Sequence, residues 1–383
     1  IANGVSSLAA GTGSYTDASG VNAVAMGLNS EASGAQSFAL GNQAQATANE
    51  AFSLGFSTPA SGIRSSAVGD TTTASGEASV AIGSSTTASG DQSFALGAGT
   101  QASGAQSFAL GSSTTASGDQ SFALGSGTNA KGATSLAMGT SSATTLSGVN
   151  GVAMGLSATA NGAQSFSMGF STIADGPQSF ALGSATHAQG DNSFALGDTT
   201  TTTPDALGSI AAGQQSSTGA PYSFAMGVSA STSLGADYSA SIGTSTVTGG
   251  MGSLAVGNGA STLSTAPYSA SIGSSTATGG AASLAVGVNA QTGADYSASI
   301  GTSTSTGANA PGSLAVGDQA TTGGAGAASI GLLTSATGQQ SFALGSGTQA
   351  VGDQSFALGT STVANGLSSL AMGASSTTAT TAV

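Results

Sequence analysis

Cysteine and tryptophan are absent from the 383 residues, and only Arg64, Lys131 and His187 offer a basic side chain. Without cysteine there is no disulfide framework and no thiolate zinc centre, and the chain fits an exported protein built without disulfides as well as it fits a cytosolic one. Fifteen acids against two cations give a net charge of −13. That balance leaves no basic patch for nucleic acid, a heparin-like polyanion or an anionic membrane. One histidine and no cysteine leave no nucleophile–histidine–acid constellation to place. The chain therefore reads as non-enzymatic, with no cofactor and no metal site. His187, between Thr186 and Ala188, falls at an outward slot and reads as a solvated surface residue. No run approaches the 18 apolar residues of a membrane span, and no basic stretch precedes an apolar one as in a signal peptide. Charged residues make up only 4% of the chain while apolar ones make up 39%. Disordered chains show the opposite balance.

What remains is glycine, 62 residues of it, with serine, threonine and alanine in a strict period. The pattern Ser-x-Ala-x-Gly, sometimes relaxed at one position, closes on twenty-six glycines from Gly11 to Gly373. Nineteen of the intervals between them are 14 residues and six are 16; the longer ones end at Gly27, Gly155, Gly213, Gly243, Gly273 and Gly317. A second glycine often follows seven residues after the first, as at Gly90, Gly104 and Gly118. Each period is thus expected to be a rung of two strands of roughly five residues joined by two turns. Stacked in parallel, such rungs satisfy one another's backbone hydrogen bonds. The fold class is all-β, a parallel β-roll or solenoid of about 26 two-stranded rungs. Residues 1–383 read as a single repeat domain. The chain opens inside a repeat already under way and carries no stalk or membrane-anchor segment, so it reads as a piece of a longer protein.

Side chains alternate faces along a strand. In Ser93-Phe94-Ala95-Leu96-Gly97, serine and alanine share one face while phenylalanine and leucine share the other. In the second strand Thr100 and Ala102 face one way, and Gln101 and Ser103 the other. A two-stranded coil is thin, so its interior takes the small set: Ser93, Ala95, Thr100 and Ala102. The large pair then points outward in nearly every rung. It comprises Phe38 and Leu40, Phe94 and Leu96, Phe108 and Leu110, Phe122 and Leu124, Phe180 and Leu182, Phe194 and Leu196, Phe342 and Leu344, and Phe356 and Leu358. So long an apolar stripe exceeds what a soluble monomer exposes. These residues are the expected core of a homotrimer, because closed symmetry around one axis buries one apolar face per coil.

The unit Ser79-Val80-Ala81-Ile82-Gly83, followed by Thr86, Ala88 and Gly90, resembles the head repeat of trimeric autotransporter adhesins, the YadA-like head. The resemblance runs from Gly11 to Gly373. It implies a left-handed roll, three chains about one axis, and display outside a Gram-negative cell for attachment to host, matrix, other cells or abiotic surfaces. Membrane contact would come only through an anchor outside this chain. Departures are that the family's asparagine before the serine is mostly glutamine here, as at Gln92, Gln106 and Gln120, and its valine mostly phenylalanine. Similar repeats occur in phage tail fibres, so a structural shaft without a ligand of its own is the alternative function.

Surface variation concentrates in two places. The 16-residue rungs, as around Leu146, are expected to bulge outward near the second strand. Between Gly243 and Gly317, rungs with Ala240, Ala270 and Ala298 alternate with rungs carrying Leu254, Leu284 and Leu314. The alanine rungs bear Tyr238, Tyr268 and Tyr296, with Tyr222 just upstream; these tyrosines either fill the rim beside the small alanines or stand exposed. The turn acids Asp91, Asp119, Asp191 and Asp353 read as hydrogen-bonding their own local backbone. Outward Thr87, Gln101, Thr115 and Asn129 are too irregular for an ice-matching lattice.

Overall fold

The computed structural model describes residues 1–380 and falls into two units, Ile1–His187 and the chain from Ala188 onward. Among the described residues there is no helix; fifty-two strands alternate long and short, two to a turn. Each unit is a parallel β-solenoid, and the two together carry about 26 turns.

In the first unit, the long strands Phe94–Ala98, Phe108–Ser112 and Phe122–Ser126 pair in parallel and in register. Phe94 faces Phe108, Ala95 faces Ala109, and Gly97 faces Gly111. In the second unit, Phe342–Ser346 pairs with Phe356–Thr360 in the same way. The 14-residue period thus puts each residue class on its own kind, which is how one small motif closes its backbone hydrogen bonds repeatedly.

The expectation of two five-residue strands per rung holds for one of them. The long strand has five residues from Phe38 onward, but the second strand has only two, such as Gln101–Ala102 and Thr115–Ala116. The reason lies in the corners. The residue two places after the closing glycine adopts a left-handed backbone, as at Ser85 (φ 54°) and Ser113 (φ 54°). A second left-handed residue precedes the serine, as at Gln92 (φ 56°) and Gln106 (φ 56°). Two sharp corners leave room for only a short extended stretch between them. Left-handed backbone costs an ordinary residue roughly 1–2 kcal/mol. Rung-to-rung bonding offsets it: Ser113 N donates to Ala98 O and Gln106 N to Asp91 O, each at 2.8 Å.

The interior is as thin as the sequence requires; the largest fully buried side chains are all threonine. Ser93, Ala95, Thr100 and Ala102 are buried, while Gln101 and Ser103 are exposed. Two pairs of positions face each other across this interior. Where the alanine before the closing glycine is replaced by serine, the facing residue is threonine and the hydroxyls bond. Ser167–Thr172 (2.7 Å), Ser271–Thr276 (2.8 Å) and Ser299–Thr304 (2.7 Å) are examples. The first serine of the rung bonds in the same way when its facing residue is threonine, as in Ser209–Thr218 (2.9 Å) and Ser297–Thr306 (3.0 Å).

The alternation seen outside between Gly243 and Gly317 therefore has an inner counterpart. The alanine rungs hold four interior hydroxyls, such as Ser269, Ser271, Thr276 and Thr278, whereas the leucine rungs hold two, such as Ser283 and Thr292, around Ala285 and Ala290. Replacing Thr276 by valine keeps the shape and strands the Ser271 hydroxyl. The expected cost is about 1–3 kcal/mol, read as a lower urea midpoint with an unchanged slope.

Candidate interaction surfaces

The large residues of the long strand share one face of their coil, and along it they stack. Ring centroids lie 4.9 Å apart for Phe94–Phe108 and 4.8 Å for Phe108–Phe122, with planes 6° and 2° from parallel. Phe38–Phe52, Phe166–Phe180 and Phe342–Phe356 stack likewise at 5.4, 4.7 and 5.1 Å. Stacking covers the ring faces and leaves the outer edges bare. Accordingly Phe38, Leu40, Phe94, Leu96, Phe108, Leu110, Phe122, Leu124, Phe180, Leu182, Phe342, Leu344, Phe356 and Leu358 are half-buried within one chain. Phe194 and Leu196 are more open, at 45% and 44% exposure. The stripe is thus narrower than a fully exposed one, because each residue is partly covered by its counterparts one rung away.

Beside this face runs the corner with the left-handed residue before the serine. In the first unit glutamines there form an amide ladder. Gln106 Nε2 donates to Gln92 Oε1 at 3.2 Å, Gln120 Nε2 to Gln106 Oε1 at 3.1 Å, and Gln178 Nε2 to Gln164 Oε1 at 3.0 Å. Three of the turn acids depart from expectation. Asp91 and Asp119 do not bond their own turn; their Oδ1 atoms accept from Glu77 N and Ala105 N, 14 residues earlier, at 2.9 Å. Asp353 in the second unit accepts from Gln339 N in the same way at 2.8 Å. A carboxylate one residue after the turn glycine reaches back one rung more easily than it folds onto itself, so these acids clip neighbouring rungs together.

His187 is also not the solvated residue expected. Its side chain is only 29% exposed, and Nε2 lies 2.5 Å from Asp175 Oδ2, which sits one rung earlier; Asn161 Nδ2 donates to Asp175 Oδ1 at 2.5 Å. Arg64 pairs with Glu77 across rungs. Among the described residues no three His, Cys, Asp or Glu side chains gather into a metal-binding group.

The 16-residue rungs place their extra residues in the turn after the short strand, without disturbing the strand itself. Asn129 still faces Ala143, and Ala143 faces Thr159, in the register of the shorter rungs. Leu146 stands in such a turn at 77% exposure. Sequence reasoning singled out Leu146 alone, but Leu234 and Leu263 occupy similar turns in the second unit and are exposed as well. The signal was available, since each lies just past a short strand in a 16-residue rung.

A profile of the YadA head domain repeat, two copies long, matches residues 18–58, 60–142, 147–172, 174–199 and 336–362, more than half of the chain. The chain belongs to the YadA head repeat family. No curated protein matches it. YadA heads are adhesin-like parts of cell-surface proteins, and the family is non-enzymatic. No helix of the described residues is long and apolar enough to cross a membrane. Within this YadA head, the matched stretches stop at 199 and resume at 336. Tyr222, Tyr238, Tyr268 and Tyr296 lie between those limits, at the corner that elsewhere carries the glutamine ladder, with φ between 53° and 58°. The rings of Tyr222 and Tyr238 stack at 5.3 Å.

Proposed function

We propose that this chain is the head of a trimeric surface adhesin. Three copies pack their phenylalanine and leucine faces around a common axis, and the assembly attaches its bearer to host, matrix, neighbouring cell or abiotic surfaces. In this reading it stands on the outer surface of its bearer. The observation that carries the reading is the stacked apolar face, repeated rung after rung with its ring edges open to a partner. Each large side chain gains up to about 1.5–3 kcal/mol on full burial, so a face of this length drives association strongly even though stacking already covers part of it. Repeated weak contacts along such an assembly give avidity without any single tight site. Light scattering on the purified chain should return about three times the 35.3 kDa chain mass. A monodisperse monomer would overturn the trimer.

A second reading, a spacer shaft, is favoured for one stretch. The rungs from Gly83 to Gly125 repeat almost without change and present only small or polar residues on the short strand.

A further inference from the structure

The corner before the serine keeps one left-handed backbone conformation while its side chain changes along the chain. At Gln92, Gln106 and Gln120, at Gln164 and Gln178, and again at Gln340 and Gln354 it is amide, and these amides bond one another along the axis. From Tyr222 to Tyr296 that ladder is replaced by four of the chain's five tyrosines. A tyrosine there bears the same left-handed backbone without the amide-to-amide bond made at the glutamine corners. The exchange adds exposed aromatic surface: the four side chains range from 58% exposed at Tyr222 to 74% at Tyr296.

Spacing is the second observation. Tyr238, Tyr268 and Tyr296 recur every second rung, about 10 Å apart at the usual inter-strand distance, while Tyr222 stands one rung before Tyr238, stacks on it and lies outside this period. The intervening positions are Gly252 and Ala282, and Gly312 follows Tyr296, so no large side chain stands between the rings. The Tyr268 ring lies close over the Gly252 backbone, where an added Cβ would meet Cδ1 at 2.8 Å. A Cβ added at Gly312 would touch nothing within 4 Å. Small residues at these slots keep the rings accessible along the edge.

We infer that this tyrosine column binds a linear, uncharged polysaccharide of β-1,4-linked sugars, which stack on successive rings with one disaccharide to every two rungs. A repeating ligand suits a repeating site, whereas a globular partner presents no such period. Charge agrees: both Arg64 and Lys131 lie in the first unit, so the second has no Lys or Arg to draw sulfated or uronic chains. Asp237, and Asp295 through Oδ2 because its Oδ1 accepts from Ala281 N, can accept from sugar hydroxyls beside the tyrosines, and the phenol groups can donate or accept. Proline-rich peptides have a similar repeat length but dock in grooves between aromatic ridges; a single file of rings on an exposed edge suits a sugar, which needs only one face. The inference gives the adhesion reading a ligand class, yet it uses residues apart from the phenylalanine face, so either can fail alone.

Tyrosine emission supplies the test, because without tryptophan it reports chiefly this column. The fifth tyrosine, Tyr15, sits in the other unit with its hydroxyl bonded to Glu31. The full chain is titrated with cellohexaose, chitohexaose, an oligogalacturonate and a decaproline peptide. A saturable emission change with a neutral hexasaccharide, and none with oligogalacturonate, is expected. The variant Y238Q/Y268Q/Y296Q installs the residue that this corner carries elsewhere and so preserves folding. Measured by calorimetry, it should bind at least tenfold more weakly, while Y238F/Y268F/Y296F stays within threefold of the parent. The inference is overturned if neither neutral hexasaccharide binds or if the glutamine variant binds unchanged. It is equally overturned if decaproline takes the site instead, or if the glutamine variant changes the light-scattering mass, which would mean another copy covers the rings.

Discussion

Replacing Gly111 by alanine is expected to cost at least about 3 kcal/mol, the scale of combined backbone strain and forced separation of packed segments. Gly111 has φ 134°, and a Cβ there would lie 1.8 Å from the carbonyl oxygen of Gly125 in the next rung. Relief requires the two rungs to move apart, which breaks the in-register pairing of Phe108 to Ser112 with Phe122 to Ser126. Because a solenoid's stability is close to a sum over neighbouring rungs, that loss is local in origin but large. Gly99 is the matched control. It also has a positive φ, 63°, but an added Cβ would lie 3.7 Å from the nearest atom, Ser113 Oγ. Serine already occupies the equivalent corner at Ser85 and Ser113. Gly99→Ser should therefore shift the urea midpoint by little in either direction. If Gly111→Ala proved as mild as Gly99→Ser, close approach between rungs would not be what fixes the closing glycine.

The second large effect is expected on assembly. Phe108→Asp combined with Phe122→Asp puts two carboxylates in the middle of the proposed trimer contact, where each chain faces its own copies and like charges meet. The scattering mass should fall from about three chains to one. Far-ultraviolet circular dichroism should retain its strand signal, because both side chains point away from the roll interior that Ala109 and Ala123 fill. Some loss of single-chain stability will accompany this, since Phe108 stacks on Phe94 and Phe122 within its own chain. Gln106→Asp combined with Gln120→Asp, at the adjoining corners, adds the same charge without touching the apolar face and should leave the mass unchanged. A trimer that survives the double substitution would remove this face from the contact.

The parts of the fold that could be read from sequence were those governed by alternation and period. Ser93 and Ala95 turned inward and Phe94 and Leu96 outward because strand geometry permits nothing else once the period is known. Less legible was whatever depends on a neighbour one rung away. Asp91 looks like a turn residue in isolation, and only the stacking of rungs shows that its partner is Glu77 N. The short strand was over-extended because its corner is made by residues with no left-handed preference, including Ala185 and Leu333. Context imposes that conformation, and no side chain announces it. The pairing of Ser271 with Thr276 was written in the sequence, five residues apart, but its meaning required knowing that the two face each other across a thin interior. The tyrosine column was visible as composition; its accessibility and its place on the former amide ladder were not.

The rungs closing on Gly97 and Gly125 are identical in all 14 residues, from Ser84 and from Ser112 respectively. A folding chain that docked one in place of the other would find every local contact correct and would notice its error only by the loop it left behind. The 16-residue rungs cannot be exchanged for their neighbours in this way, because their extra turn fits one place in the stack. Together with the tyrosine-bearing rungs they act as index marks on an otherwise interchangeable scale, so variation at the corners also tells the chain where along itself it is.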